Sequence, residues 1–250
     1  MPEEFARYPS LAGRGVLVTG GASGIGASIV AHFAAQGART AFLDIDEANG
    51  RQVAAETGAC FLPCDLRDIA ALRAAVAEAA RQVGPITVLV NNAARDDRHG
   101  WETVEPDYWD ERLQTNLRHA FFCSQAVAPM MREARQGSIV FFGSVSWMMG
   151  QGGMPAYTAA KAASHGLARG LARDLGPFGI RCNILVPGWI FTERQERLWA
   201  TPEAVARHLE RQCLKEKLRA PDIARMVLWL AADDSRMVTG QSFVVDGGAT

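Results

Sequence analysis

Thr19-Gly20-Gly21-Ala22-Ser23-Gly24-Ile25-Gly26 is the stretch on which the fold turns. It follows the apolar run Gly15 to Thr19 and opens onto a segment in which Ile29, Val30 and Phe33 recur at helical spacing. A glycine-rich turn between a buried strand and a helix lets backbone approach a pyrophosphate closely, while free N–H groups at the helix start attract its charge. The spacing G-x-x-x-G-x-G is longer than the familiar G-x-G-x-x-G, and a loop of this kind can also be a plain tight turn. Its place between strand and helix favours dinucleotide binding, with Gly20, Ser23, Gly24, Ile25 and Gly26 as the candidate contacts.

Outward from this turn, short β-branched or aliphatic runs alternate with longer alanine-rich stretches. Strands are expected at Gly15 to Thr19, Arg39 to Leu43, Ala59 to Pro63, Ile86 to Asn91, Ser138 to Gly143, Ile180 to Val186 and Ser242 to Val245. The first six are separated by enough chain for helical crossovers, and near-continuous apolar strands suit a parallel sheet covered on both faces. The expectation is a single α/β, doubly wound Rossmann domain over residues 1–250, with a seven-stranded, mostly parallel sheet flanked by helices. Long helices are expected from about Trp109 to Met131 and from Pro155 to Leu175. The chain after Pro187 reads as an irregular start and two helical stretches before the last strand, a natural substrate lid over about 188–218.

Composition narrows the class of function. The 26 basic and 27 acidic residues are interspersed and leave a net charge of -1, so no footprint for nucleic acid or an anionic membrane is present. No apolar run reaches the length of a membrane span, and Met1-Pro-Glu-Glu-Phe-Ala-Arg lacks the regions of a signal peptide, so a soluble cytoplasmic protein is expected. Cys60, Cys64, Cys123, Cys182 and Cys213 form no C-x-x-C pair and leave one over, which reads as reduced thiols rather than a disulfide framework. His119 and Cys123 share a helical face but lack further ligands, and no metal is expected.

Asp44 ends the second strand, where a carboxylate can accept hydrogen bonds from ribose hydroxyls and would repel a 2′-phosphate, so NAD is the expected cofactor. The alternative is that it caps the next helix. Asp65-Leu66 after the third strand and Asn91-Asn92-Ala93-Ala94 after the fourth stand at the carboxyl ends of strands, where such sheets bind ligands, although Asp65 could be a cap and the asparagines could serve loop backbone. Ser144 and Tyr157-Thr-Ala-Ala-Lys161 complete the set. Four residues apart on a helix, Tyr157 and Lys161 share a face, and an ammonium there favours the phenolate and brings the phenol toward neutral pH.

Taken in order, Thr19 to Gly26, Asn91-Asn92-Ala93, Asn116, Ser144, Tyr157-x-x-x-Lys161, Pro187-Gly188 and Asp246-Gly-Gly resemble the short-chain dehydrogenase/reductase family over essentially the whole chain. The resemblance implies Tyr157 as general acid/base, Ser144 orienting the reacting oxygen, Lys161 holding the nicotinamide ribose, and Asn116 supporting a water relay. It also implies adenine contacts from Asp65 and Leu66 and nicotinamide contacts from Ile190 and Thr192. Ala94 departs from the family, which has glycine there.

Further stretches, among them Tyr8-Pro-Ser-Leu11, Phe42-Leu-Asp-Ile45, Asp96-Asp-Arg-His99, Tyr108-Trp-Asp-Glu-Arg112, Asn116-Leu-Arg-His119, Gly143-Ser-Val-Ser-Trp147, Thr192-Glu-Arg-Gln-Glu196 and Gln212-Cys-Leu-Lys215, are similar to the bacterial NAD-dependent aldose 1-dehydrogenases. That likeness implies oxidation of a sugar of the D-xylose, D-galactose or L-arabinose type at its anomeric carbon, and a homotetramer. For such a substrate, Trp147 and Trp189 are candidate platforms for the C–H face. Gln151, Arg194, Asp96 and Arg98 are candidate hydrogen-bonding partners, and Met148, Met149 and Met154 candidate pocket walls. The alternatives are a dehydrogenase of another secondary alcohol, polyol or ketone, a 3-oxoacyl reductase, and a nucleotide-binding protein without catalysis.

Overall fold

The strands form at Gly15–Thr19 (β1), Arg39–Asp44 (β2), Cys60–Pro63 (β3), Ile86–Asn91 (β4), Gly137–Phe142 (β5), Ile180–Pro187 (β6) and Ser242–Val245 (β7). They make one sheet in the order β3-β2-β1-β4-β5-β6-β7. This computed structural model describes residues 5–250, so the reading of Met1 to Glu4 lies outside the described residues. Where a mostly parallel sheet was expected, every strand pairing is parallel. Four strands differ from the expected bounds by a residue at one end or both, at Asp44, Ala59, Gly137 with Gly143, and Pro187.

The helices are Gly24–Ala35 (α1), Glu47–Thr57 (α2), Ile69–Val83 (α3), Pro106–Leu113 (α4), His119–Ala134 (α5), Val145–Met148 (α6), Pro155–Leu175 (α7), Glu193–Leu198 (α8), Pro202–Arg211 (α9) and Ala220–Ala231 (α10). Successive strand residues point to opposite faces. Val16 and Val18 therefore join Ile29 and Phe33 of α1 and Val227 and Leu228 of α10, while Leu17 joins Leu72 and Val76 of α3 and Cys123 and Val127 of α5. Each fully buried side chain of this size contributes about 1.5–3 kcal/mol. Double coverage explains why β1, β4, β5 and β6 are buried at every position.

Two expectations change. The helix read from Trp109 to Met131 is three pieces: α4 begins at Pro106, a π-helical turn fills Gln114–Arg118, and α5 runs on from His119. The segment after Pro187 holds three helices rather than two. The break falls at Thr201, whose side chain accepts from Ala204 N and caps α9, with Pro202 at its first turn. The strand order reverses between β1 and β4, and a crevice opens at their carboxyl ends.

Candidate active site

The cleft along these strand ends encloses about 1210 Å³. Its floor is the glycine turn. Gly20 has φ +70, and a Cβ there would lie 2.7 Å from Ala93 Cα; a Cβ on Gly26 would lie 1.7 Å from the Gly20 carbonyl oxygen. Only glycine lets α1 start this close to the β4 loop. Ser23 forms no side-chain cap, and no acidic residue occupies the first turn of α1, so the Gly24, Ile25 and Gly26 N–H groups meet the cleft without an internal carboxylate. This end fits a pyrophosphate.

Asp44 lines the cleft, its Oδ2 accepting from Ala22 N at 2.9 Å and its Oδ1 from Asp46 N at 3.0 Å. It does not cap α2, because Asp46 does so through Asn49 N. Likewise Asp68, not Asp65, caps α3. Asp65 and Leu66 both line the cleft, but the Asp65 carboxylate is gripped by Arg67 Nε and Nη2 at 3.0 and 2.7 Å, which holds it below the usual carboxylate range. Arg67 also reaches Glu111 at 3.1 Å.

Ala93 lines the cleft; the Asn91 side chain does not. It donates to Ser124 Oγ at 3.3 Å, behind the cleft. Two residues tie the glycine turn to the loop after β4. Asn92 Nδ2 donates to the Thr19 and Gly20 carbonyls at 3.1 and 2.9 Å, and Thr19 Oγ1 accepts from Asn92 N and Ala93 N at 3.1 and 3.2 Å. A buried hydroxyl ending an apolar strand was the signal for Thr19. On the far wall, Pro187 closes β6, and Gly188 admits Asp246 where a Cβ would lie 2.8 Å from its Cα. Ile190 is buried beneath the cleft, and the Thr192 methyl faces Gly24 while its hydroxyl caps α8.

The reacting end gathers Ser144, Tyr157 and Lys161. Ser144 begins α6, its Oγ accepting from Ser146 N at 3.2 Å. Pro155 starts α7 and sets Tyr157 and Lys161 one turn apart on its inner side. Lys161 Nζ donates to the Phe142 carbonyl at 3.1 Å and stands 5.7 Å from the Tyr157 ring centroid. Burial pushes the phenol up to about 12, against a lowering by the Ser144 hydrogen bond, and pushes the lysine down to about 8. Desolvation is the largest influence on both groups.

Asn116 sits in the π-turn, 2% exposed, away from the cleft wall. Its Oδ1 accepts from Arg95 N at 2.8 Å and its Nδ2 donates to the Arg112 carbonyl at 3.0 Å. Its side chain fastens the loop after β4. His119, just after the turn, lies with Nε2 3.1 Å from the Ala93 carbonyl, and burial followed by the Lys161 charge lowers it to about 4.

At the outer wall, Asp96 accepts from Arg194 Nη1 and from Gln195 Nε2, the latter at 2.8 Å. Trp189 Nε1 donates to Gln195 Oε1 at 3.0 Å, and its ring packs on Phe191 and His208. Arg194 also donates to Asp97 Oδ1 at 2.8 Å. Gln151, Trp189, Arg194, Met149 and Met154 line the cleft as expected. Trp147 and Met148 do not. Trp147 is 38% exposed and meets His165 edge to face.

The family description enoyl-(acyl carrier protein) reductase matches residues 20–250. A probable galactose dehydrogenase of Rhizobium meliloti is 51% identical, with 97% of each chain covered. The D-xylose 1-dehydrogenase of Caulobacter vibrioides is 46% identical over 97% of this chain and 98% of its own. A blue fluorescent protein from a metagenomic library, solved in complex with NADPH, superposes with a TM-score of 0.87 at 36% identity, covering 96% of this chain and 99% of that one. The chain belongs to the short-chain dehydrogenase/reductase family. This short-chain dehydrogenase is an oxidoreductase whose fold binds a nicotinamide cofactor and whose relatives include sugar dehydrogenases. The clasp between Asp96, Arg194 and Gln195 was not legible as a unit in its sequence, because its partners stand 98 and 99 residues apart.

Proposed function

We propose that this short-chain dehydrogenase is an NAD-dependent aldose 1-dehydrogenase, oxidising a sugar of the D-galactose, D-xylose or L-arabinose type to its lactone. The observation that carries the reading is full-length similarity to galactose and xylose dehydrogenases in a chain that keeps Ser144, Tyr157 and Lys161 together in the cleft. When bound, the oxidised nicotinamide supplies the hydride acceptor and a positive charge.

Tyr157 takes the proton of the C1 hydroxyl, and Ser144 holds that hydroxyl in line. Lys161, with two N–H donors left beside Phe142, holds the nicotinamide ribose. Lys161 favours the Tyr157 phenolate in this reading, and the positive charge of the cofactor helps as well. Ile190 and Thr192 flank the nicotinamide end, Leu66 and Ile45 the adenine end, and the free acceptor sites of Asp44 take the ribose diol. Asn116 is a positioning residue for the Arg95–Asp96 loop. The segment 188–218 is the substrate lid, and Trp189 the apolar surface for the sugar.

Absorbance of NADH in the presence of D-galactose, D-xylose and L-arabinose tests this directly. NAD should support turnover and NADP only weakly, and Tyr157→Phe should lower kcat by about 10³-fold or more while binding NADH normally. No turnover across an aldose panel would sink the reading; equal use of NADP would overturn the role of Asp44.

A further inference from the structure

We propose that Asp96 is the residue that recognises the sugar, its carboxylate accepting hydrogen bonds from ring hydroxyls away from C1. The inference rests on the aldose reading above and names what discriminates among aldoses. An ionised carboxylate offers about four acceptor sites. Arg194 Nη1 takes one on Oδ1, and Gln195 Nε2 takes one on Oδ2. The Arg98 guanidinium approaches no nearer than 4.0 Å, beyond hydrogen-bonding distance. The remaining sites belong to a side chain 18% exposed on the cleft wall. Its neighbour Asp97 is different: Arg194, Arg112 and Arg95 engage it, and it does not line the cleft.

Placement and rigidity support the same assignment. Asp96 is near enough to the reacting end for its charge to act on both Tyr157 and Lys161. Groups facing it are Arg194 and Gln195 from α8, Arg98 from its own loop, and Tyr157 and Lys161 from α7. Asn116 fixes the preceding residue through Arg95 N, so the carboxylate is aimed from a held backbone. Gln195 joins it to Trp189, placing a polar acceptor beside an aromatic face, the two surfaces that a sugar presents to a protein. A carboxylate here also disfavours sugar acids and sugar phosphates by like-charge repulsion.

The test is steady-state kinetics of the full chain at saturating NAD, with wild type, Asp96→Ala, Asp96→Asn and Arg194→Met against the best aldose and its monodeoxy analogues. Asp96→Ala should raise KM by about 10- to 100-fold with a smaller change in kcat, Asp96→Asn less, and NADH binding by fluorescence should stay unchanged. In wild type, deleting one particular hydroxyl should lower kcat/KM by a similar factor, and that dependence should vanish in Asp96→Ala but persist in Arg194→Met. Persistence of the wild-type hydroxyl dependence in Asp96→Ala overturns the assignment. Its loss in Arg194→Met as well would make Asp96 merely a latch and also overturns it. If wild type oxidises no aldose, the functional reading fails first and this assignment with it.

Discussion

His119 opens α5 with Nε2 3.1 Å from the Ala93 carbonyl, 1% exposed and within reach of the Lys161 charge. A second proton on this ring would be buried beside a cation, and its pKa falls to about 4. The unfolded chain takes up that proton near the ordinary value of about 6.5. Because the folded value is depressed, protons favour the unfolded state below 6.5, and stability present above that pH is lost as pH falls toward 4. Between pH 7 and pH 5 the wild type should lose about 2 kcal/mol that His119→Gln does not. Urea midpoints at the two pH values check this, and equal losses in both proteins would refute it. His32, His165 and His208 are also lowered by burial, so the variant flattens only part of the acid limb. Residue identity made the members of the site legible, but not their titration. The pairing of Tyr157 with Lys161 follows from spacing alone, whereas the depth of α7 and the competing Phe142 carbonyl depend on the assembled sheet.

At the scale of elements, the glycine turn was legible because its chemistry is local: strand, tight turn and uncapped helix start lie within one short run. The π-turn was not, since one extra residue between α4 and α5 leaves the apolar character of the run intact. The irregularity has a role, placing Asn116 where it meets Arg95 N and Arg112 O. Gly26 and Gly166 show how position decides what a methyl does. Each lies within a helix, where alanine is favoured over glycine by up to about 1 kcal/mol. At Gly166 a Cβ meets nothing within 4 Å, while at Gly26 it would strike the Gly20 carbonyl and Asn92 Nδ2 at 2.7 Å or less. Gly166→Ala should raise Tm slightly with NADH affinity unchanged. Gly26→Ala should destabilise by about 1–3 kcal/mol and weaken NADH binding at least tenfold, as α1 withdraws from the turn. Thermal melts with fluorescence titration measure both, and normal NADH affinity in Gly26→Ala would remove the phosphate role of that helix start.

For the whole molecule, the sheet satisfies strand and helix faces within one chain, yet α4 and α5 keep large side chains outward. Trp109 on α4 is 37% exposed and Phe121 on α5 is 38%, the latter edge to face with Phe122. A single exposed aromatic needs no explanation. Two on consecutive helices beside the π-turn that carries Asn116 favour a surface covered by a second copy, in line with the homotetramer implied by the family resemblance. Light scattering at micromolar concentration should then give a mass near four times 27.0 kDa. Phe121→Asp would bury a charge against that apolar contact and should shift the population to smaller species, because an unpaired buried carboxylate is costly. Turnover should fall with it if the covered face steadies α5 and the Arg95–Asp96 loop that Asn116 holds. A monomeric wild type would rule out the assembly; a Phe121→Asp protein of unchanged mass would place the contact on another face.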